Sequence, residues 1–198
     1  MDVYAIKQLG DCFLTQQNFA KAREYYKKAA EKKDGESLVK LGNLYLFGNG
    51  VKQDYLEAKR YYELAAGEDC EQAYPKLGYL YSTGKGVKTD YIKAKDYFEK
   101  GVKKGDAESL YNLGELYFKG YGINKNISKA IDYFELSALK NYSPAFYKLG
   151  ILYLNGDEID KDLNKSFLYL KSAARLGNKD ATDFLTQYYV ISSVLKLN

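Results

Sequence analysis

The fold is read from Leu41-Gly42-Asn43-Leu44-Tyr45-Leu46-Phe47-Gly48-Asn49-Gly50-Val51 together with the residues just downstream: Asp54-Tyr55, Ala58, Tyr61-Tyr62 and Ala65-Ala66. The Leu-Gly pair also stands at Leu9-Gly10, Leu77-Gly78, Leu113-Gly114 and Leu149-Gly150; the first spacing is 32 residues and the next three are 36 each. Three residues after each of these glycines comes an aromatic: Phe13, Tyr45, Tyr81, Tyr117 and Tyr153. Further glycines stand at Gly48, Gly84, Gly120 and Gly156, and in three copies at Gly50, Gly86 and Gly122. The rear half recurs as well, with Asp54, Asp90, Asn126 and Asp162 in one position and Ala58, Ala94, Ala130 and Ser166 in another. Bulky pairs come next at Tyr61-Tyr62, Tyr97-Phe98, Tyr133-Phe134 and Tyr169-Leu170, and the first unit matches with Ala22 and Tyr25-Tyr26. Self-similarity at a fixed period of this length marks a repeat architecture.

Each recurring residue type has a local cause. Leu38, Leu41 and Tyr45 fall at helical spacing and define one buried face. The glycine of Leu-Gly sits inside that helix, where it costs about 1 kcal/mol against alanine. Its return in every unit implies that a neighbouring helix approaches closely there. The Gly-x-Gly-Val segment ends the helix, because glycine reaches φ > 0 without strain. Asp54 and its equivalents suit the N-cap of a second helix, whose aromatics are expected to wedge into the neighbouring unit. The pattern predicts helix pairs over 3–15 with 19–32, 36–47 with 54–67, 72–83 with 90–104, 108–119 with 126–140 and 144–155 with 162–176, then a last helix over 180–195. A lone hairpin of this size cannot bury its own apolar face, but stacked hairpins can. The expected fold is therefore all-α, a solenoid of about five helix pairs plus a C-terminal helix. It forms one repeat domain over 1–198, with repeats near 3–34, 35–70, 71–106, 107–142 and 143–178 and a partial repeat at 179–198.

This pattern, Leu-Gly-x-Leu-Tyr-x-x-Gly-x-Gly-Val and then Asp-Tyr-x-x-Ala-x-x-Tyr-Tyr-x-x-Ala-Ala, resembles the Sel-one-like repeat (SLR) family of the tetratricopeptide-like superfamily. It is almost complete at Leu41–Ala66 and nearly so at Leu77–Val102. The copy from Leu113 carries Ile123, Asn126 and Ile127; the copy from Leu149 has Glu158 where glycine is usual, so its loop is expected to differ. The first unit lacks the Gly-x-Gly loop and is spaced like a tetratricopeptide repeat. The resemblance implies a right-handed superhelix with the first helix of each pair lining its concave side. It also implies work as an adaptor that holds other proteins. Cysteine-rich members carry a disulfide in each repeat; this chain has only Cys12 and Cys70, almost two repeats apart, and is expected to keep both as free thiols.

Composition narrows the function. Of 198 residues, 46% are hydrophobic and none is histidine. The missing imidazole removes the usual general base and the commonest metal ligand, and with them any Ser-His-Asp or Cys-His arrangement. No catalytic residue, metal site or cofactor is expected, and a hydrolase stands only as a remote alternative. The glycine-rich segments come after no strand and lack P-loop spacing. The net charge of +4 comes with both signs mixed along the chain, unlike the basic stripe of a nucleic-acid binder. The lysine runs Lys27-Lys28, Lys32-Lys33 and Lys103-Lys104 fall at helix ends, where they complement the helix dipole. No apolar leader or run of 18 apolar residues is present, so neither export nor membrane insertion is expected and the cytoplasm is the expected compartment.

What remains is a protein or peptide partner on the concave face. Three first-helix positions are expected to point there: Lys7, Val39, Pro75, Tyr111 and Tyr147; Asp11, Asn43, Tyr79, Glu115 and Ile151; and Leu14, Leu46, Ser82, Phe118 and Leu154. They vary between units while the framework does not, as groove residues freed from packing are able to. Asn43, Leu46, Tyr79, Tyr111, Glu115, Phe118 and Tyr147 are the candidate partner contacts. The last helix, with Tyr188, Tyr189, Val190, Ile191, Val194, Leu195 and Leu197, is apolar on more than one side. It is expected to fold back as a cap on the fifth unit, leaving a monomer; the alternative is a homodimer, or wider self-assembly, through it.

Overall fold

The computed structural model describes residues 2–195, with side chains through residue 190. It contains eleven helices and, among the described residues, no strand: α1 (Val3–Thr15), α2 (Phe19–Ala30), α3 (Gly35–Phe47), α4 (Tyr55–Gly67), α5 (Ala73–Thr83), α6 (Tyr91–Lys103), α7 (Ala107–Lys119), α8 (Ile127–Leu139), α9 (Ser143–Asn155), α10 (Leu163–Arg175) and α11 (Lys179–Leu195). The expected helices are all present, with ends shifted by two residues at most. The largest shift is at α2, which stops at Ala30 because Lys33 turns left-handed at φ 64° and takes Lys32-Lys33 out of the helix.

The chain divides into two compact units, Met1–Asp106 and Ala107–Asn198. In the first, α1 packs on α2, α3 on α4 and α5 on α6, and successive hairpins meet through α2 on α3 and α4 on α5. In the second, α7 packs on α8 and α9 on α10, with α8 against α9 and α10 against α11.

Capping explains where the helices begin and end. The side chains of Asp54, Asp90, Asn126 and Asp162 accept hydrogen bonds from backbone amides in the first turn of α4, α6, α8 and α10. The amide of each of these caps in turn donates to the carbonyl of the first-helix aromatic, Tyr45, Tyr81, Tyr117 or Tyr153, which fixes the return of the chain. Gly48 and Gly84 are left-handed C-caps at φ 72° and 71°. The loop after α9 does differ. Gly156 keeps φ 78°, but Glu158 is not left-handed; its carboxylate instead lies 2.7 Å from Lys125 Nζ. Between hairpins the chain turns through Lys33, Asp69, Gly105, Asn141 and Gly177, all at positive φ. Each is followed by an amide bonded to the carbonyl five residues back, as in Cys70 N to Ala65 O at 3.0 Å, the closure of a Schellman motif.

The core of each hairpin is a bulky side chain against a glycine. A Cβ added to Gly10, Gly42, Gly78 or Gly114 would lie 2.3–2.7 Å from an atom of Tyr26, Tyr62, Phe98 or Phe134, and one on Gly150 would lie 2.7 Å from Leu170 Cγ. The other member of each bulky pair stacks on the first-helix aromatic. Phe13–Tyr25, Tyr45–Tyr61, Tyr81–Tyr97, Tyr117–Tyr133 and Tyr153–Tyr169 have centroids 5.4–5.9 Å apart and planes within 18°. Such pairs add about 0.5–1.5 kcal/mol beyond their buried area. This corrects the expectation that the aromatics wedge into the next unit: their main contacts lie inside their own hairpin, because the glycine opens the space for them there.

Gly78→Ala tests this packing. Alanine is the better helix former by about 1 kcal/mol, yet its methyl group overlaps the enclosed Phe98 ring, and overpacking of this kind costs about 1–3 kcal/mol. A lowered thermal and urea midpoint is expected; an unchanged or raised one would show that the ring has room to move.

Candidate partner-binding surface

The expected surface residues sit in the first helices, α3, α5, α7 and α9, but most of them have internal work. Leu46 is only 5% exposed and belongs to the core of the first unit, as do Val39 and Pro75. Asn43 accepts a hydrogen bond at 2.8 Å from the hydroxyl of Tyr62, whose ring is buried against Gly42. Asp11 does the same for Tyr26 at 2.7 Å and also pairs with Lys40 of the next hairpin. Where the second helix carries Phe98, Phe134 or Leu170 there is no hydroxyl to satisfy, and the position holds Tyr79, Glu115 or Ile151. The variation taken as a sign of freedom is therefore matched, at least twice, to the chemistry of the opposing side chain. A buried hydroxyl left without an acceptor costs about 1–3 kcal/mol.

Tyr111 also turns inward. Its ring lies 5.5 Å from Phe134 and 5.6 Å from Tyr142, and burial, followed by the negative charge of Glu115, raises its phenol well above the ordinary value. Tyr79 is half-buried, with its hydroxyl 2.5 Å from Lys85 Nζ. Tyr147 packs beside Leu170, Ala173, Ala181 and Leu185. Asn43, Leu46 and Tyr79 are in the first unit, and Tyr111, Glu115, Phe118 and Tyr147 in the second.

Phe118 borders open space. With Lys148, Ile151, Leu152, Asn155, Asp157 and Glu158 it lines a cleft of about 260 Å³ between α7, α9 and the loop after α9. Lys148 Nζ stands 4.2 Å from the centroid of the Phe118 ring and 2.8 Å from Glu115 Oε1. The cleft thus offers an aromatic and aliphatic floor, a cation held in place, and an amide and a carboxylate at the rim. Helical register alone does not point to Lys148, Asn155 or Asp157. Lys148 has a visible counterpart in Lys40, since each stands two residues before its glycine and pairs with the acid one residue after the preceding Leu-Gly glycine.

The Sel1 repeat profile matches residues 4–34, 35–69, 72–106, 107–142 and 143–178. The chain belongs to the Sel1-repeat family. A Sel1 repeat protein from Oxalobacter formigenes is 31% identical over 95% of this chain and 78% of its own, with a TM-score of 0.79. A protective antigen of uropathogenic Escherichia coli with an SLR fold is 26% identical, with a TM-score of 0.71; the match covers 96% of this chain but 42% of the antigen. An immunity protein from Pseudomonas aeruginosa is 26% identical over 81% of this chain and 59% of its own, with a TM-score of 0.63. Comparison with curated proteins gave no match. Sel1-repeat proteins generally mediate protein–protein contacts and are typically scaffolds rather than catalysts.

At the C-terminal side of this Sel1-repeat chain, α11 packs on α10, as expected of a cap: Ala181 and Leu185 are buried and the Tyr188 ring lies 4.5 Å from Phe167. The side chains of Ile191, Val194, Leu195 and Leu197 lie outside the described residues. No described helix is long and apolar enough to cross a membrane.

Glu115 gives the surface a pH signature. Burial acts to raise its carboxyl, but hydrogen bonds and charges from Lys119 and Lys148, each 2.8 Å away, outweigh it and hold the group below the ordinary carboxylate value. A carboxyl lowered in the folded state stabilises the fold above its unfolded pKa, about 4.3, and loses that contribution as pH falls through the folded value. Glu115→Gln is expected to lower stability by roughly 2 kcal/mol at neutral pH, with the gap to the wild type closing below about pH 4. Thermal melts across that range check this; a gap that does not vary with pH would refute the ion-pair account.

Proposed function

We propose that this Sel1-repeat chain is a non-enzymatic adaptor that binds a protein or peptide through the face made by the first helices of its repeats, with the cleft over Phe118 and Ile151 as its anchor point. The observation that carries this is the cleft itself: an apolar floor with a fixed polar rim is what a partner side chain needs to be both buried and oriented. Tyr147, on the same first helix as Ile151, extends the reading within the second unit, and Tyr79 is the corresponding candidate of the first. Within the second unit, Glu115 holds Lys148 beside the Phe118 ring. Cys12 and Cys70 are both free thiols, which fits a reducing compartment such as the cytoplasm.

Ile151→Glu with Asn155→Ala places a charge on the floor of the cleft and removes a rim amide. Affinity capture from the native cell, quantified by mass spectrometry, is expected to lose the specific partner by about 30-fold, the scale of a lost interface anchor. A variant with the wild-type melting point that recovers the same partner in the same amount would overturn the cleft assignment.

Self-association is a second reading, favoured by exposed apolar side chains on the last two helices: Leu163 at 48%, Leu168 at 65% and Tyr188 at 44%. If it holds, light scattering gives a dimer mass that Leu168→Glu reduces to that of a monomer; a monomer mass for the wild type refutes it.

A further inference from the structure

Three second helices carry a glutamate at the same place in the repeat: Glu63 in α4, Glu99 in α6 and Glu135 in α8. In the first two, the residue four positions earlier is a lysine that closes an ion pair with it. Lys59 Nζ lies 2.5 Å from Glu63 Oε1, and Lys95 Nζ lies 2.6 Å from Glu99 Oε1. In α8 that residue is Ile131. Glu135 is left with a long hydrogen bond accepted from the Tyr169 hydroxyl at 3.4 Å, and makes no ion pair among the described residues.

This carboxylate lines a cavity of about 430 Å³ together with Phe146, Tyr169, Ala138, Leu139 and Asn141. The Phe146 and Tyr169 rings form a corner, with centroids 6.2 Å apart and planes tilted by 48°. At the mouth, Leu139 is 80% exposed, and Leu136, one turn earlier, is 48% exposed. The place taken by Leu139 holds Lys103 in α6 and Arg175 in α10, so those helices carry a cation in the last turn. The last turn of α8 carries none, and Lys140 at its C-cap makes no ion pair with Glu135. The cavity therefore combines a half-buried carboxylate, two aromatic faces and the negative pole of a helix. All three attract a cation with an apolar stem.

We propose that this cavity receives an arginine side chain of a partner polypeptide, whose guanidinium donates to the Glu135 carboxylate and lies against Phe146 and Tyr169 while its apolar neighbours rest on Leu136 and Leu139. Arginine fits better than lysine because its planar, weakly hydrated head stacks on rings and forms paired hydrogen bonds with a carboxylate. Burial, and then the charge of Glu135, pushes the Tyr169 phenol up to about 12, so its hydroxyl stays protonated and keeps Glu135 oriented. The surface is made by α8 and the turn after it, Phe146 of α9 and Tyr169 of α10, none of them a residue of the Ile151 cleft, and it does not rest on the adaptor reading.

The test is an NMR titration of the full chain with acetyl-Leu-Arg-Leu amide, read at the side-chain signals of Leu139, Phe146 and Tyr169. Saturable shifts at these residues are expected, with acetyl-Leu-Gln-Leu amide binding at least about tenfold more weakly. Glu135→Gln, and Ile131→Lys, which installs the internal cation that α4 and α6 already have, should each weaken the arginine peptide about tenfold while the protein stays folded. Ile151→Glu should leave it unchanged, so failure here and failure of the cleft assignment are distinct results. No shift at these residues, equal affinity for the two peptides, or wild-type affinity in the folded Ile131→Lys protein would overturn the proposal.

Discussion

In every hairpin a bulky side chain of the second helix lies on the bare backbone of a glycine in the first, and the two helices can come no closer and move no further apart without losing that contact. Phe98 on Gly78 shows the constraint most sharply. The intrinsic penalty of a mid-helix glycine is accepted because the ring that fills its place is removed from water along its whole length. Once the contact is set, the remaining geometry is constrained too: the partner ring slides over the first-helix aromatic, and the glycine loop has to bring the chain back at one fixed offset.

The same contact decides which polar groups exist near the surface. A tyrosine driven onto the glycine brings its hydroxyl with it, and the first helix must supply an acceptor, as Asp11 does for Tyr26 and Asn43 for Tyr62. A phenylalanine there makes no such demand, and in the hairpin of Phe134 the position is released for Glu115, which then pairs with Lys119 and Lys148. Much of what looks like a recognition surface is thus the outer edge of the packing. Open space is left over Ile151 and beside Glu135.

The architecture was legible in the sequence because its signals are local and repeated. N-caps such as Asp54, left-handed glycines such as Gly48 and helical spacing such as Leu38-Leu41-Tyr45 each act within one turn of chain, and a fixed period multiplies them. The site was less legible because its logic crosses from one helix to another. Tyr111 was expected to face a groove, yet its ring turns toward Phe134 and Tyr142. Leu46 varies in type along the repeats and is still core. Neither the helical period nor residue variation separates a groove position from one that meets the next hairpin. The covariation of tyrosine on the second helix with an acid or amide on the first was present in the sequence all along, and it is the signal that would have placed Asn43 correctly.

The seam between hairpins has an implication for how such chains change. An acid one residue after the glycine meets a lysine two residues before the next Leu-Gly glycine, Asp11 with Lys40 and Glu115 with Lys148. At these two seams, a duplication or shuffling of whole hairpins keeps the ion pair only when acid and lysine arrive on matching sides. The hairpins that meet there look interchangeable by length but carry a directional label written in charge as well as in shape.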